Sequence, residues 1–313
     1  MKKIIIDTDT GSDDAVALSI ALNRSNLNIL GITTVAGNCD VHQATQNALM
    51  TVENCKKEVP IFQGCSDPIF RGARIDAVQV HGTDGMGDLG LIIPKTHVEK
   101  MHAVDFIIDT VKNNPYEVEI ITIGPLTNIA LAIAKEPQIM EKVKHYYIMG
   151  TSGLGLGNAS SVSEFNIYAD AESFDILLRR SQVKKTIIGF DVCIENYLNR
   201  DEITAISEKN ALGKFLMDAN RTLINYNIQR MNNYILDLPD AIAVAVAIWP
   251  DIVLESKEYY ATCCCEDIQT YGQVIFNDRT DSLAIEHNYP ADNVSLIRKI
   301  NKKLFKQMLY DAL

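Results

Sequence analysis

The segment Asp7-Thr8-Asp9-Thr10-Gly11-Ser12-Asp13-Asp14 places four carboxylates within eight residues, and no Lys or Arg follows until Arg24. Unpaired carboxylates this close repel one another and raise each other's pKa. A hard divalent cation relieves that repulsion, and an all-oxygen donor set points to Ca²⁺ or Mg²⁺ rather than Zn²⁺. Helix capping is the competing explanation. Ser12 is a good N-cap, and Asp13 and Asp14 would fall in a first turn, where the helix dipole favours negative charge. Capping leaves Asp7 and Asp9 unexplained at the end of an apolar run, where a buried charge is costly. The metal reading is therefore preferred.

Further polar residues stand where apolar runs end. Asn38 follows Ala36-Gly37, Ile123 precedes Gly124-Pro125, and Met149 precedes Gly150. Asn158, Glu164 and Asn166 are spaced by six and two, and residues two apart on an extended segment face the same way. Glu164 and Asn166 could thus present an acceptor and a mixed donor/acceptor to neighbouring hydroxyls; a polar loop capping the next helix explains them as simply. His81 sits in the glycine-dense loop His81–Gly87 and is one of six histidines, most of which are structural in any chain. Asp240 opens the apolar run Leu238–Trp249, with Pro239 ahead of it, where a missing N–H is harmless. Asp240 is either a helix-start acid or a carboxylate aimed at the metal.

The elements that must position these groups alternate. Strands are predicted at Lys3–Ile6, Leu27–Val35, Glu117–Ile123, Val143–Met149 and Lys184–Gly189. Helices are predicted at Asp13–Asn23, Val41–Asn54, Ala103–Lys112, Leu126–Ala134 and Ala171–Arg180. Such alternation implies an α/β fold, an open, mostly parallel sheet with helices on both faces. Ligands of open α/β sheets bind beyond the carboxyl ends of the strands, which is where the acidic segment stands. The region Arg200–Ile248 reads as helical, Val253–Cys265 and Gln273–Phe276 as strands, and Val294–Leu309 as a closing helix. No repeat or Pro/Ser-rich linker interrupts the chain, so residues 1–313 are read as one domain.

Composition narrows the partners. The chain is 47% hydrophobic and 22% charged, with a net charge of −11 and scattered basic residues. That charge disfavours nucleic acid and anionic membranes and leaves a small molecule as the simplest partner. The opening Met1-Lys2-Lys3 resembles a signal peptide, but its apolar run ends after three residues. The longest apolar stretch, Ala241–Trp249, is about half a membrane span, so a cytoplasmic location is expected. The seven cysteines include no C-x-x-C pair, and neighbouring side chains of a strand at Cys263-Cys264-Cys265 point to opposite faces. These are read as reduced cysteines packed as small hydrophobes.

Taken together, DTDTGSDDA at 7–15, AGN at 36–38, HGTDG at 81–85, IGPLTNIALA at 123–132, the Gly157–Asn166 segment and PDAIA at 239–243 resemble the nucleoside hydrolase family, the inosine–uridine preferring nucleoside hydrolases. The resemblance spans most of the chain and implies Ca²⁺-dependent cleavage of the bond between ribose and nucleobase. By position it implies metal ligands at Asp9, Asp14, Asp240 and the Ile123 carbonyl; the family often has Thr at that last position, and a carbonyl ligand survives the change. It implies that Asp13, Asn38, Asn158, Glu164 and Asn166 hold the ribose hydroxyls, that His81 and Met149 line the pocket, and that Asp9 activates a metal-bound water. Catalytic roles thus fall on Asp9, Glu164 and Asn166. A homodimer or homotetramer is implied by the same likeness.

One departure stands out. Many members place a histidine immediately before the last metal aspartate, where it can protonate the leaving base. Pro239 occupies that position and cannot donate a proton. Stacking, as in purine-selective members, or another group must substitute; Tyr226, Arg230 and Tyr234 are the candidates upstream. An atypical or modified base is accordingly expected. Two rivals compete: a haloacid-dehalogenase-like Mg²⁺-dependent phosphatase with Asp7 as nucleophile, and a riboside-binding protein that has lost turnover. The first lacks a later Lys and acidic pair at matching positions, and the second does not explain an intact Asp9.

Overall fold

Side chains alternate along an extended strand, so Ile4 and Ile6 pack into one hydrophobic cluster and Ile5 into another on the opposite side of the sheet. The computed structural model, which describes residues 1–90, 94–280 and 290–313, has eleven strands among those residues. They are β1 (Lys2–Thr8), β2 (Leu27–Thr34), β3 (Ile61–Gln63), β4 (Val118–Thr122), β5 (His145–Met149) and β6 (Lys185–Ile188). The later ones are β7 (Leu198–Asn199), β8 (Ile235–Leu236), β9 (Val253–Cys263), β10 (Val274–Asn277) and β11 (Val294–Ile300). Nine form one sheet in the order β10-β9-β11-β6-β5-β4-β1-β2-β3, and β7 pairs with β8 separately. From β11 to β3 neighbouring strands are parallel; β9 runs antiparallel to both β11 and β10.

Helices cover both faces, as the alternation predicts. Helices Ser12–Leu22, Val41–Asn54 and Pro239–Ile248 contribute to the cluster containing Ile4 and Ile6. Helices Ala103–Asn113, Thr127–Lys135 and Ala171–Arg180 contribute to the cluster containing Ile5. No helix among the described residues is long and apolar enough to cross a membrane. All seven cysteines are free thiols; Cys263 is buried, and Cys264 and Cys265 are half-buried.

The C-terminal reading is corrected. Val294–Ile300 is strand β11, wedged between β6 and β9, and the closing helix spans only Lys302–Ala312. Its apolar positions, Val294, Leu296, Ile297 and Ile300, satisfy a helical spacing and a strand spacing about equally well. Pairing with the uncovered edge of β6 decides for strand, and Asn301, whose side chain accepts from the Leu304 N–H, caps the helix that follows. Strand β3 was too short to read from pattern.

Candidate active site

Two helices bring the acidic groups together. Every residue of Ser12–Leu22 and of Pro239–Ile248 is buried. A helix apolar on nearly all sides has to be enclosed, and these two pack against each other. Both begin at the carboxyl-end rim of the sheet, near β1 and β4, where the strand order reverses and open α/β sheets bind their ligands. Their first turns carry Asp13, Asp14 and Asp240, and one carboxylate oxygen of each lies within 4.8 Å of the others. The positive ends of two helix dipoles therefore face one acidic cluster.

Each carboxylate is held differently. Asp14 accepts from Thr8 Oγ1 at 2.6 Å, the Gly11 N–H at 2.7 Å and Asn38 Nδ2 at 3.0 Å. Asp9 Oδ2 accepts from the Asn38 N–H at 2.7 Å, whereas its buried Oδ1 has no partner. Asp13 Oδ1 is likewise buried and without a hydrogen bond. Burial first, and then neighbouring charge, pushes the Asp14 carboxyl up to about 6. Asp13 is also pushed up to about 6, chiefly by burial. Burial raises Asp9 and Asp240 well above the ordinary range, with Asp14 adding for Asp9 and Asp13 adding for Asp240. Asp9 stands outside the tightest trio, but its charge acts on Asp240, so it borders the same cluster. Among the described residues no Lys or Arg pairs with any of the four. Orphaned, buried, mutually repelling carboxylate oxygens fit a hard divalent cation.

The capping explanation holds only in part. Gly11, not Ser12, is the N-cap, and the Asp14 carboxylate takes the Gly11 N–H. Ser12 Oγ is instead 2.9 Å from His81 Nδ1. His81 also lies 3.6 Å from Asp13 Oδ1, but burial pushes the imidazole down to about 4, so it is neutral near pH 7 and the contact is no ion pair. Pro239 is the first residue of its helix rather than lying ahead of it. Asp7 is corrected outright as a nucleophile. Its Oδ1 accepts from Thr33 Oγ1 at 2.5 Å and Asn128 Nδ2 at 2.8 Å, and it does not line the cavity.

A cavity of about 400 Å³ opens over the cluster. Asp13, Asn38, His81, Ile123, Met149, Asn158, Glu164, Asn166, Tyr226, Arg230, Pro239 and Asp240 all line it, from segments far apart in sequence. Asp9 and Asp14 are fully buried and do not line it themselves; each is hydrogen-bonded to Asn38, which does. Asn166 Nδ2 donates to the Ile123 carbonyl at 3.1 Å and the Met149 carbonyl at 3.3 Å, which turns both carbonyls toward this side chain. Glu164 and Asn166 do not share an extended face. Glu164 is the N-cap of helix Phe165–Ala169, its carboxylate accepting from the Asn166 and Ile167 N–H groups, and Asn166 is inside that helix. Burial pushes Glu164 up to about 7. Asn158 Oδ1 accepts from the Phe165 N–H and steadies the same turn. Tyr234 is the misplaced candidate. Asn232 ends the preceding helix in the left-handed region (φ 50), and Tyr234 then stacks against Arg200, 4.0 Å from its ring, outside the cavity.

Several wall residues escaped the sequence reading: Phe165, Phe190, Leu223, Asn227 and Asp237. Leu223, Tyr226, Asn227 and Arg230 follow i, i+3, i+4, i+7, one face of helix Arg221–Met231, so a helical-face reading could have added two of them. No local pattern marks Phe190 or Asp237.

The profile of the family described as inosine-uridine preferring nucleoside hydrolase matches residues 4–307. A non-specific ribonucleoside hydrolase of Escherichia coli, RihC, is 32% identical over 312 residues, 99% of this chain and 97% of its own. Uridine nucleosidase 1 of Arabidopsis thaliana is 33% identical over 258 residues, 82% of this chain and 76% of its own. Among solved structures, the purine-preferring ribonucleoside hydrolase from Gardnerella vaginalis superposes with a TM-score of 0.90 at 29% identity, covering 99% of this chain and 98% of the other. With sequence likeness running the length of the sheet and the acidic cluster standing at the strand-order reversal, the chain belongs to the inosine-uridine preferring nucleoside hydrolase family and is an enzyme of the nucleoside hydrolase type.

Proposed function

We propose that the protein hydrolyses the N-glycosidic bond of ribonucleosides with Ca²⁺ as its metal, held by Asp9, Asp14, Asp240 and the Ile123 carbonyl. The observation that carries this reading is the convergence of Asp13, Asp14 and Asp240, with Asp9, whose Oδ1 is unpartnered, acting on Asp240 through its charge, at a cavity also lined by Asn38, Asn158, Glu164 and Asn166. Bound Ca²⁺ would supply the positive charge that lowers the pKa of a water at the site. Asp9 Oδ1 takes the proton of the attacking water. Asp13 and Asn38 receive the 2′- and 3′-hydroxyls; Asn158, Glu164 and Asn166 hold the rest of the sugar. As the C1′–N bond breaks, its electron pair leaves with the base and positive charge develops on the ribose ring, as in other glycoside hydrolyses. The Glu164 carboxylate, held by backbone N–H groups, stabilises that charge.

Departure of the base is the step for which this chain lacks the imidazole of many relatives. Pro239 lines the cavity and has no proton to give; Tyr226, as an acid, and Arg230, as a hydrogen-bond donor to the charge developing on the base, remain on the wall, and Tyr234 does not. General acid catalysis is worth roughly 10²–10⁴-fold. A p-nitrophenyl riboside, whose leaving group needs no proton, should therefore be cleaved faster than inosine or uridine, and Pro239→His should narrow the gap. Ribose release by a reducing-sugar assay, with purine, pyrimidine and modified nucleosides in parallel, tests this. Absence of ribose from every substrate would leave a binding protein; brisk cleavage of inosine and uridine unaffected by Tyr226→Phe and by Arg230→Ala would show that no replacement group is needed.

A further inference from the structure

We propose that Asp237 selects the leaving base, accepting a hydrogen bond from an exocyclic amino group and so favouring amino-bearing nucleobases over their oxo counterparts. The inference rests on the hydrolytic reading above. Asp237 lines the cavity three residues ahead of Asp240, on the short segment between β8 and helix Pro239–Ile248. Its charge acts on Asp13 and on His81, which places it where the sugar-holding floor meets the wall formed by helix Arg221–Met231. From that wall Asn227 Nδ2 donates to Asp237 Oδ1 at 2.6 Å and to the Ile235 carbonyl at 3.3 Å. The amide is thus committed as a donor, and one carboxylate oxygen is pinned. Among the described residues the side-chain hydrogen bond to this carboxylate is the one from Asn227 to Oδ1, and Oδ2 receives none. A half-buried carboxylate, oriented by a neighbour and facing a ligand cavity, is an acceptor without a donor.

An ionised carboxylate accepts and cannot donate. It pairs with the amino group of cytosine or adenine and repels the carbonyl oxygen at the same position of uracil or hypoxanthine. Arg230, on the same wall, would favour the oxo forms, but its side chain is exposed and unpinned, so water screens it more strongly. Pro239 contributes no donor of its own. A site built for a particular hydrogen bond rejects the analogue that cannot make it, and a bond to a charged group is worth about 10–100-fold.

The test is the ratio of kcat/KM for cytidine over uridine and for adenosine over inosine, in wild type, Asp237→Asn and Asp237→Ala. Wild type should favour the amino partner in both pairs by about 10–100-fold. Asp237→Asn, whose amide can donate to a carbonyl, should bring both ratios down at least about tenfold, and Asp237→Ala should bring them toward unity. A partly misfolded variant slows both members of a pair alike, so the ratio still reads selectivity. Ratios near one in wild type, or ratios unmoved by Asp237→Asn while all rates fall together, overturn the proposal and leave Asp237 a general electrostatic influence on the acidic cluster. Wild-type hydrolysis of p-nitrophenyl riboside separates the two levels. Its cleavage with unselective nucleoside ratios sinks only the role of Asp237, whereas no cleavage of it or of any nucleoside sinks the hydrolytic reading itself.

Discussion

Asp7 and Asp9 are two residues apart, equally buried, and chemically opposite in role. Asp7 is still within β1, where Thr33 and Asn128 both hold Oδ1, Oδ2 is buried without a partner, and burial pushes the carboxyl up to about 7; the acidic groups that could share a cation lie elsewhere. Asp9 is just past the strand end, with Oδ2 fixed by the Asn38 N–H and Oδ1 left over. A fixed carboxylate with one unused oxygen, bordering the acidic cluster as Asp9 does through its charge on Asp240, is what a general base requires. Asp9→Asn keeps an oxygen for the Asn38 N–H but cannot take a proton, so the fold should persist while kcat drops by about 10²–10⁴-fold. Steady-state rates at saturating Ca²⁺ measure this, and near-wild-type turnover would remove Asp9 as the base. Local charge density marks both aspartates alike and only the family resemblance prefers Asp9; the packing that distinguishes them depends on Thr33 and Asn128, which lie far along the chain.

The loop that leaves β2 shows how an element can be shaped by one neighbouring side chain. A Cβ built on Gly37 would lie 2.1 Å from Asp9 Oδ2, and one on Gly124 would lie 2.8 Å from the Asp9 backbone nitrogen. Neither glycine has a positive φ; both are needed because two backbones close around Asp9. Gly37→Ala should therefore displace the Asp9 carboxylate and lower kcat by at least about tenfold, since small misplacements of a catalytic group cost rate steeply. Gly72→Ala, whose added methyl meets nothing within 4 Å, is the matched control and should leave activity unchanged. Equal rates in both variants would show that the loop yields without moving Asp9. The motifs AGN and IGP are visible in the sequence, but the reason for their glycines appears only when β1, β2 and β4 are side by side.

At the scale of the whole molecule, burying so many carboxylates ties stability to pH and to metal. Burial pushes Asp7 and Glu164 up to about 7 and Asp13 and Asp14 up to about 6, and raises Asp9 and Asp240 further. In these groups the folded pKa exceeds the unfolded one, so between the two values the native state binds more protons and stability falls as pH rises. The six carboxylates thus cost nothing below about pH 4, their unfolded range, and cost progressively more from there to above pH 7. Burial lowers His81 and His145 to about 4, which has the opposite sign between about pH 4 and 6.5, but two histidines oppose six acids. In chelator, the melting temperature should fall between pH 5 and pH 8. Added Ca²⁺ should raise it, by more at pH 8 than at pH 5, because protons compete for the same oxygens. A melting temperature in chelator that climbs across this range, or a Ca²⁺ shift that is larger at pH 5, would contradict a metal-ready acidic cluster.

What the sequence determined by itself was local and periodic. Alternating apolar strands and amphipathic or wholly apolar helices dictated a mostly parallel α/β sheet, and the dense acidic segment at the end of β1 pointed to a cation site, since no basic residue stands near it in the chain. The motifs implied the family and most of the cavity lining. Tertiary structure decided whatever depended on distant partners. It made Val294–Ile300 a strand by offering the edge of β6, and it made Glu164 a helix cap as well as a cavity group. It turned Tyr234 toward Arg200, and it brought Asp237 to the cavity through Asn227. Periodicity records which face of an element is buried; it holds no record of which element will be found on the other side of that face.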